Sequence, residues 1–192
     1  YTLLIVESPA KCGKIESYLG SGYKCIASFG HIRELPGIKY IDIDNNFKPN
    51  FQLMDSKSQQ INKMRTMIKN ASDVLIASDD DREGEAIGYH IVETFGLPLT
   101  TKRIIFHEIT KDAILKAVQQ PTILNMDLVH AQQARQILDV IVGYKISPTL
   151  WEHVSRNTKT GLSAGRCQTP ALRIVYDNQK DIDASPGKKV YN

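Results

Sequence analysis

Asp73-Val74-Leu75-Ile76-Ala77-Ser78-Asp79-Asp80-Asp81-Arg82-Glu83-Gly84-Glu85 is the stretch whose reading decides the fold. Its first half is a short apolar run of the kind buried on both faces of a sheet, and it stops abruptly at an acidic cluster. Beyond the cluster, Ile87, Ile91 and Phe95 recur every four residues, which predicts a helix over Gly84–Phe95 with a core face. The same strand-to-helix junction opens the chain. Residues 2–6 are apolar and β-favouring, Glu7 ends them, Ser8 is a candidate N-cap and Pro9 suits a first helical position. That helix is expected to reach about Leu19 and stop at Gly20, with a second strand at Tyr23–Phe29.

Further along, Lys57–Ala71 has a helical pattern, and Lys102–His107 reads as another core strand before a helix beginning near Thr110. Alternating strands and helices imply an α/β class with a mostly parallel, Rossmann-like sheet and flanking helices. Ligands of such sheets gather beyond the carboxyl ends of the strands, where Glu7 and Asp79 would both sit. Residues 36–55, rich in Pro, Gly and Asn, read as a long connection or excursion. From about Asn125 the pattern is helical only. Asp127–Val142 is expected with Leu128, Ala131, Ala134, Leu138 and Ile141 inward, followed by Pro148–Arg156 and Ser163–Gln179. Two domains are therefore expected, 1–124 and a partial helical one at 125–192, with the tail after Asp181 reading as a broken-off end.

Of the 192 residues 42% are hydrophobic, enough to bury one α/β core and part of a second. No apolar run approaches the roughly 18 residues that cross a bilayer, so no membrane partner is expected. The three cysteines, Cys12, Cys25 and Cys167, form no CxxC pair and indicate neither a disulfide framework nor a zinc site. A reducing, cytoplasmic location fits that usage. The net charge of +3 is unevenly spread: residues 1–130 carry 15 basic and 16 acidic side chains, the remainder nine and five. The basic excess in the second part suits a phosphate-rich partner, although so small an excess is common.

Residues 79–85 hold five acids, Asp79, Asp80, Asp81, Glu83 and Glu85, with Arg82 alone to offset them, and such density needs a reason. If the segment stays extended, Asp79, Asp81 and Glu83 project to one side and form a hard-oxygen site suited to Mg²⁺. The bland reading is a solvated acidic turn; the position directly after a buried strand favours the metal. An EF-hand loop fails because His90 stands where its bidentate glutamate belongs, and a strand precedes it. Glu7 serves either as a helix-dipole partner or, paired with the acidic cluster across the sheet, as a general acid or base. Lys11 lies where a phosphate at the helix start would meet it. A P-loop is excluded, since Ser8 replaces its first glycine and Ile15 its Ser/Thr.

Together, Ile5-Val6-Glu7-Ser8-Pro9-Ala10-Lys11, Phe29-Gly30-His31-Ile32, Asp79 through Ile87 and Phe106-His107-Glu108-Ile109-Thr110 resemble the successive signatures of type IA DNA topoisomerases. The resemblance continues through Ala131-Gln132-Gln133-Ala134-Arg135, Asp139, Gly143-Tyr144, Ser147-Pro148, Trp151 and Leu162-Ser163-Ala164-Gly165-Arg166, so it spans nearly the whole chain. The Glu7–Lys11 form is more similar to bacterial topoisomerase I than to topoisomerase III.

The resemblance implies a toprim domain in which Glu7, Asp79, Asp81 and Glu83 hold Mg²⁺ and place a backbone phosphate. Glu7 would be a proton donor to the leaving 3′ oxygen and Lys11 would stabilise transition-state charge. His31, Arg135, Gln136, Asp139, Tyr144, Trp151, Leu162, Ser163, Ala164, Gly165, Arg166 and Cys167 would line a path for single-stranded DNA. Chemically this is consistent: Arg135 and Asp139 are i,i+4 on one helix, Tyr144 and Trp151 can stack bases, and Ser163–Arg166 would present helix-start amides and a guanidinium. Trp151 would serve equally well as a core anchor.

Two departures stand out. Asp80 replaces the Leu or Pro usual between the first two acids. None of the eight tyrosines lies in the Tyr-x-Arg-Thr context of the family's nucleophile, so the chain is expected to be inactive alone and to work with further domains of an intact, monomeric, ATP-independent enzyme. Two alternatives stay open: another toprim enzyme, such as a primase or nuclease, and a non-catalytic nucleic-acid-binding module.

Overall fold

A computed structural model describes residues 1–154 and 161–187. The chain divides into two compact units, Tyr1–Gln136 and Ile137–Asn192. The first contains strands β1 (Thr2–Val6), β2 (Tyr23–Ala27), β3 (Arg33–Glu34), β4 (Ile41–Asp42), β5 (Lys48–Pro49), β6 (Gln52–Leu53) and β7 (Asp73–Ala77). Its helices are α1 (Pro9–Leu19), α2 (Ser58–Lys69), α3 (Arg82–Phe95) and α4 (Lys111–Gln119). Helix α5 (Met126–His153) starts in this unit, and α6 (Gln168–Ala184) belongs to the second.

The central sheet has the order β2-β1-β7, all parallel, with Val6 in register with both Ala27 and Ala77. β1 is apolar at every step after Thr2 because both of its faces are covered; Leu3, Leu4, Ile5 and Val6 are buried. On one side Leu3, Ile5, Ile26 and Val74 pack with Ile61 and Met64 of α2 and Ile87 and Ile91 of α3. On the other, Leu4, Val6, Ala27, Leu75 and Ala77 pack with Ile15 of α1, Ile104, and Ile114 and Ala117 of α4. Each large apolar side chain buried this way contributes about 1.5–3 kcal/mol of transfer free energy. The result is the expected α/β sheet with helices on both faces, and no helix among the described residues is long and apolar enough to cross a membrane.

Several boundaries differ from expectation. Residues 102–107 do not form a strand: Arg103 alone bridges Ile76 in parallel and Thr122 in antiparallel fashion. Ile76 donates to Lys102 O and accepts from the Ile104 N–H on either side of Arg103, and β7 ends one residue later at Ala77. Residues 36–55 are not a bare connection, since they carry the antiparallel pair β4–β5 and one strand of the pair β3–β6. Asp127–Val142 and Pro148–Arg156 are not separate helices: α5 runs unbroken through Pro148. Arg156 lies outside the described residues. A proline forfeits one helical donor, but here the helix is tied on both sides of it, at Ser147 and Trp151, to residues 162–164.

The inward face of α5 is also rotated from the expected one. Leu128, Ala131, Ala134 and Leu138 are exposed, whereas Val129 and Gln132 are buried. The face that turns inward is the one carrying Gln132 and Arg135, drawn to a carboxylate of the first unit rather than to an apolar surface.

Candidate functional site

The parallel register brings the carboxyl ends of β1 and β7 side by side, so Glu7 emerges next to the turn Ser78–Asp81. Its Oε1 accepts the main-chain N–H of Asp79 at 2.8 Å. Asp79 Oδ1 in turn accepts from Lys11 Nζ at 2.5 Å, one turn into α1. Lys11 is 25% and Asp79 54% exposed, so their pairing is worth at most about 1 kcal/mol and can be exchanged for another anion or cation.

Asp81 is extended, with φ −147°, and its Oδ1 accepts the N–H of Gly84 at 2.8 Å, capping α3. Helix therefore begins at Arg82. Glu83 lies in its first turn and not on an extended strand with Asp79 and Asp81, which corrects the expectation of a single extended run. The physical reason is the cap itself: Asp81 competes for the first helical amides and nucleates the helix two residues before Glu83.

Glu83 instead gathers donors from two other segments. Oε1 accepts from Arg135 Nη1 at 3.2 Å, while Oε2 lies 3.1 Å from Gln132 Nε2 and 3.3 Å from His31 Nε2. His31 and Arg135, expected on a DNA path, thus both stand at an acid of the cluster. Gln136 accepts from Gln132 Nε2 at 3.4 Å.

Beneath the acidic turn lies a charge that pattern reading missed. Arg103 is fully buried; its Nη2 donates to the main-chain oxygen of Asp79 at 2.8 Å, and its Nε stands 3.3 Å from Oε1 of Glu85, itself buried. Glu85 Oε2 also accepts the N–H of Asn125 at 3.1 Å. Gly84 has a role that only glycine can fill, because a Cβ there would overlap the main-chain oxygen of Asp79. The signal for Glu85 was present in its spacing: it shares a helix face with Gly88 and Val92, which are buried.

Lys11, Asp79, Asp80, Asp81 and the segment Phe106–Ile109 line a pocket of about 430 Å³. Among the described residues no group of three or more His, Cys, Asp or Glu side chains converges to form a ready-made metal cage. Three neighbouring carboxylates on the wall of one pocket are nevertheless an oxygen-only donor set, and a small hard dication is commonly held by one or two carboxylates with its remaining positions left to water and phosphate. The residues fit such an ion. The turn is fixed from three sides, by Glu7, Arg103 and the Asp81 cap, so its carboxylates are positioned before any ligand arrives.

In the second unit, residues 162–167 lie against α5. Ser147 Oγ accepts the N–H of Ala164 at 3.1 Å, Trp151 Nε1 donates to Leu162 O at 2.5 Å, and Arg166 Nε donates to Asp139 Oδ1 at 2.8 Å. That carboxylate holds the Arg166 guanidinium above its ordinary pKa, by hydrogen bond first and charge second. The N–H of Gly165 is accepted by Thr169 Oγ1 at 3.1 Å, and α6 starts only at Gln168. Ser163–Arg166 is therefore not a helix start with free amides, as expected, because Ala164 and Gly165 already donate within the unit. Asp139, Tyr144, Trp151, Ser163 and Ala164 are among the residues lining a cleft of about 570 Å³, with Tyr144 53% and Trp151 46% exposed. Cys167 is exposed.

Residues 2–109 match the family model of the toprim domain, and residues 123–192 match that of DNA topoisomerase. The structure of full-length topoisomerase I from Thermotoga maritima is similar to this chain at 44% identity and a TM-score of 0.82, over 95% of this chain and 31% of that one. The chain thus spans about a third of the length of that relative. With a toprim match over residues 2–109, a DNA topoisomerase match over residues 123–192 and 44% identity to a topoisomerase I along 95% of its length, the chain belongs to the type IA DNA topoisomerases.

Proposed function

We propose that this chain supplies the acid, metal-binding and DNA-gripping groups of an enzyme that breaks one DNA strand through a 5′-phosphotyrosine, passes another strand and reseals the break, with Mg²⁺ and without ATP. The observation that carries this reading is the Glu7–Asp79–Lys11 arrangement at the ends of two adjacent parallel strands. A carboxyl group, an acidic turn and a cation lying side by side support a shared phosphate site.

Asp79 and Asp81, on the pocket wall, are the residues that would hold Mg²⁺, with Glu7 beside them; Glu83, expected in the same set, is engaged by His31, Gln132 and Arg135 and would have to turn from them to join it. When bound, the ion offsets phosphate charge. Glu7 carries the proton for the leaving 3′ oxygen, and the half-buried Lys11 turns from Asp79 to a phosphate oxygen as charge develops there. His31, Arg135 and Gln136 form the near side of the single-strand path. Asp139, Tyr144, Trp151 and residues 162–167 form a second grip, in which aromatic faces and the Arg166 guanidinium do the holding, since the amides of Ala164 and Gly165 are engaged. We assign residues 1–124 to the toprim domain and 125–192 to a helical DNA-binding domain.

The nucleophilic tyrosine is absent from this sequence in its family context, so the chain should bind DNA without cutting it. Fluorescence anisotropy should show a labelled single strand bound in preference to duplex, more weakly as salt rises and more weakly again in Arg135→Ala and Arg166→Ala. Incubation with Mg²⁺ and an end-labelled strand should leave no covalent adduct. Equal affinity for duplex, or an adduct on any tyrosine of this chain, would contradict the reading.

A further inference from the structure

The segment that joins Glu7 to His31 across the sheet end contains a costly residue. Just beyond β2, the N–H of Ser28 bonds to Val6 O at 2.8 Å and that of Phe29 to Glu7 O at 2.9 Å. Phe29 is then forced into the left-handed region at φ +58°, followed by Gly30 at φ +86° and His31, which meets Glu83. Glycine tolerates that conformation freely; a phenylalanine pays for it in strain between its Cβ and the backbone. The ring gains no core packing in return, being 51% exposed. Lys57 Nζ donates to the Phe29 carbonyl at 2.6 Å and stands 5.7 Å from the ring centroid, so an ammonium with donors to spare lies beside an open aromatic surface.

A role in the backbone alone would be met better by glycine, and a role in the core would bury the ring. Strained non-glycine residues held by several hydrogen bonds cluster at ligand sites, where the strain is part of what positions the side chain. A half-exposed aromatic ring with a cation over it matches one nucleotide: the base stacks on the exposed part of the ring and its phosphate meets the ammonium. We infer that Phe29 is a nucleobase-stacking platform beside the acidic turn, with Lys57 as the phosphate contact of the same nucleotide. This rests on the DNA-binding reading above.

The test uses the 192-residue chain and a single-stranded oligonucleotide containing 2-aminopurine, with Phe29→Gly, Phe29→Leu and Phe29→Trp compared by base fluorescence, anisotropy and thermal melting. Phe29→Gly should melt at or above the wild-type temperature, because strain is relieved, yet bind the strand about fivefold or more weakly and lose the stacking-induced quenching of 2-aminopurine. Phe29→Leu should lose quenching as well, and Phe29→Trp should keep it. Wild-type binding and quenching retained in Phe29→Gly would overturn the stacking role while leaving the DNA reading intact. A wild-type chain that does not bind the strand at all would overturn both.

Discussion

Arg103, buried without exposed surface, donates to the main-chain oxygen of Asp79 at 2.8 Å and faces Glu85 across 3.3 Å. The acidic turn is thus held from below by a positive charge that never reaches solvent. Of its carboxylates, Asp79 meets Lys11 and Asp81 caps α3, and both line the pocket above together with Asp80. A buried pair of this kind is a weak source of stability but a strong constraint, since removing one partner strands the other in a medium that solvates it poorly.

Arg103→Met should cost about 3–5 kcal/mol in urea denaturation, because the Glu85 charge is left without its partner. The double variant Arg103→Met with Glu85→Leu should recover most of that loss. Additive losses in the two single variants and the double variant would show that the pair is not coupled.

Two glycines make opposite predictions. At Gly84 a methyl group would overlap the Asp79 main-chain oxygen, which cannot yield without moving the turn, so Gly84→Ala should destabilise by about 2 kcal/mol or more. In α1, a Cβ at Gly13 would meet nothing within 4 Å, so Gly13→Ala should stabilise by about 0.5–1 kcal/mol through helix propensity. Melting temperatures that move in the same direction would contradict this contrast.

How far these features could be read beforehand depended on how local their causes are. The junction at Val6–Pro9 was legible because strand end and first helical turn are consecutive in sequence; α1 begins and ends where Pro9 and Gly20 put it, although the Ser8 side chain makes no capping hydrogen bond. At the second junction the strand was legible but the helix starts at Arg82, two residues before the expected Gly84, because Asp81 caps it. The failures were non-local. Nothing within residues 102–107 reveals that β7 runs out at Ala77 and leaves that stretch a single bridging residue. Apolar periodicity in α5 pointed to Leu128 and Leu138, whereas Gln132 faces inward because Glu83, 49 residues earlier, accepts its hydrogen bond. The Arg103–Glu85 pair escaped for the same reason: charge is expected outside until the partner is known.

His90 offers a pH test. Neither ring nitrogen has a hydrogen-bond partner among the described residues, and the ring packs 4.6 Å from Phe51 and 5.6 Å from His31. Burial first, then the charges of His31 and Arg33, push it from its ordinary 6.5 down to about 3. The unfolded chain therefore takes up a proton as pH falls through 6.5, and the folded chain does so only near 3. The contribution of this residue is complete above about pH 6.5 and is lost progressively between there and pH 3. From pH 7 to pH 5 the loss should be roughly 2 kcal/mol. His90→Phe should flatten that part of the stability profile; an identical slope in wild type and variant would refute the assignment.

Calorimetric titration of Mg²⁺ into the chain decides whether the turn following β7 is a metal site. Asp79→Asn with Asp81→Asn is the variant of choice, because asparagine still caps a helix and the fold should survive, as circular dichroism would verify. Neutral amides cannot offset a hard dication as carboxylates do. Weak Mg²⁺ binding is expected for the wild-type chain and none for the double variant; equal affinity in the two would rule out a metal site at this turn.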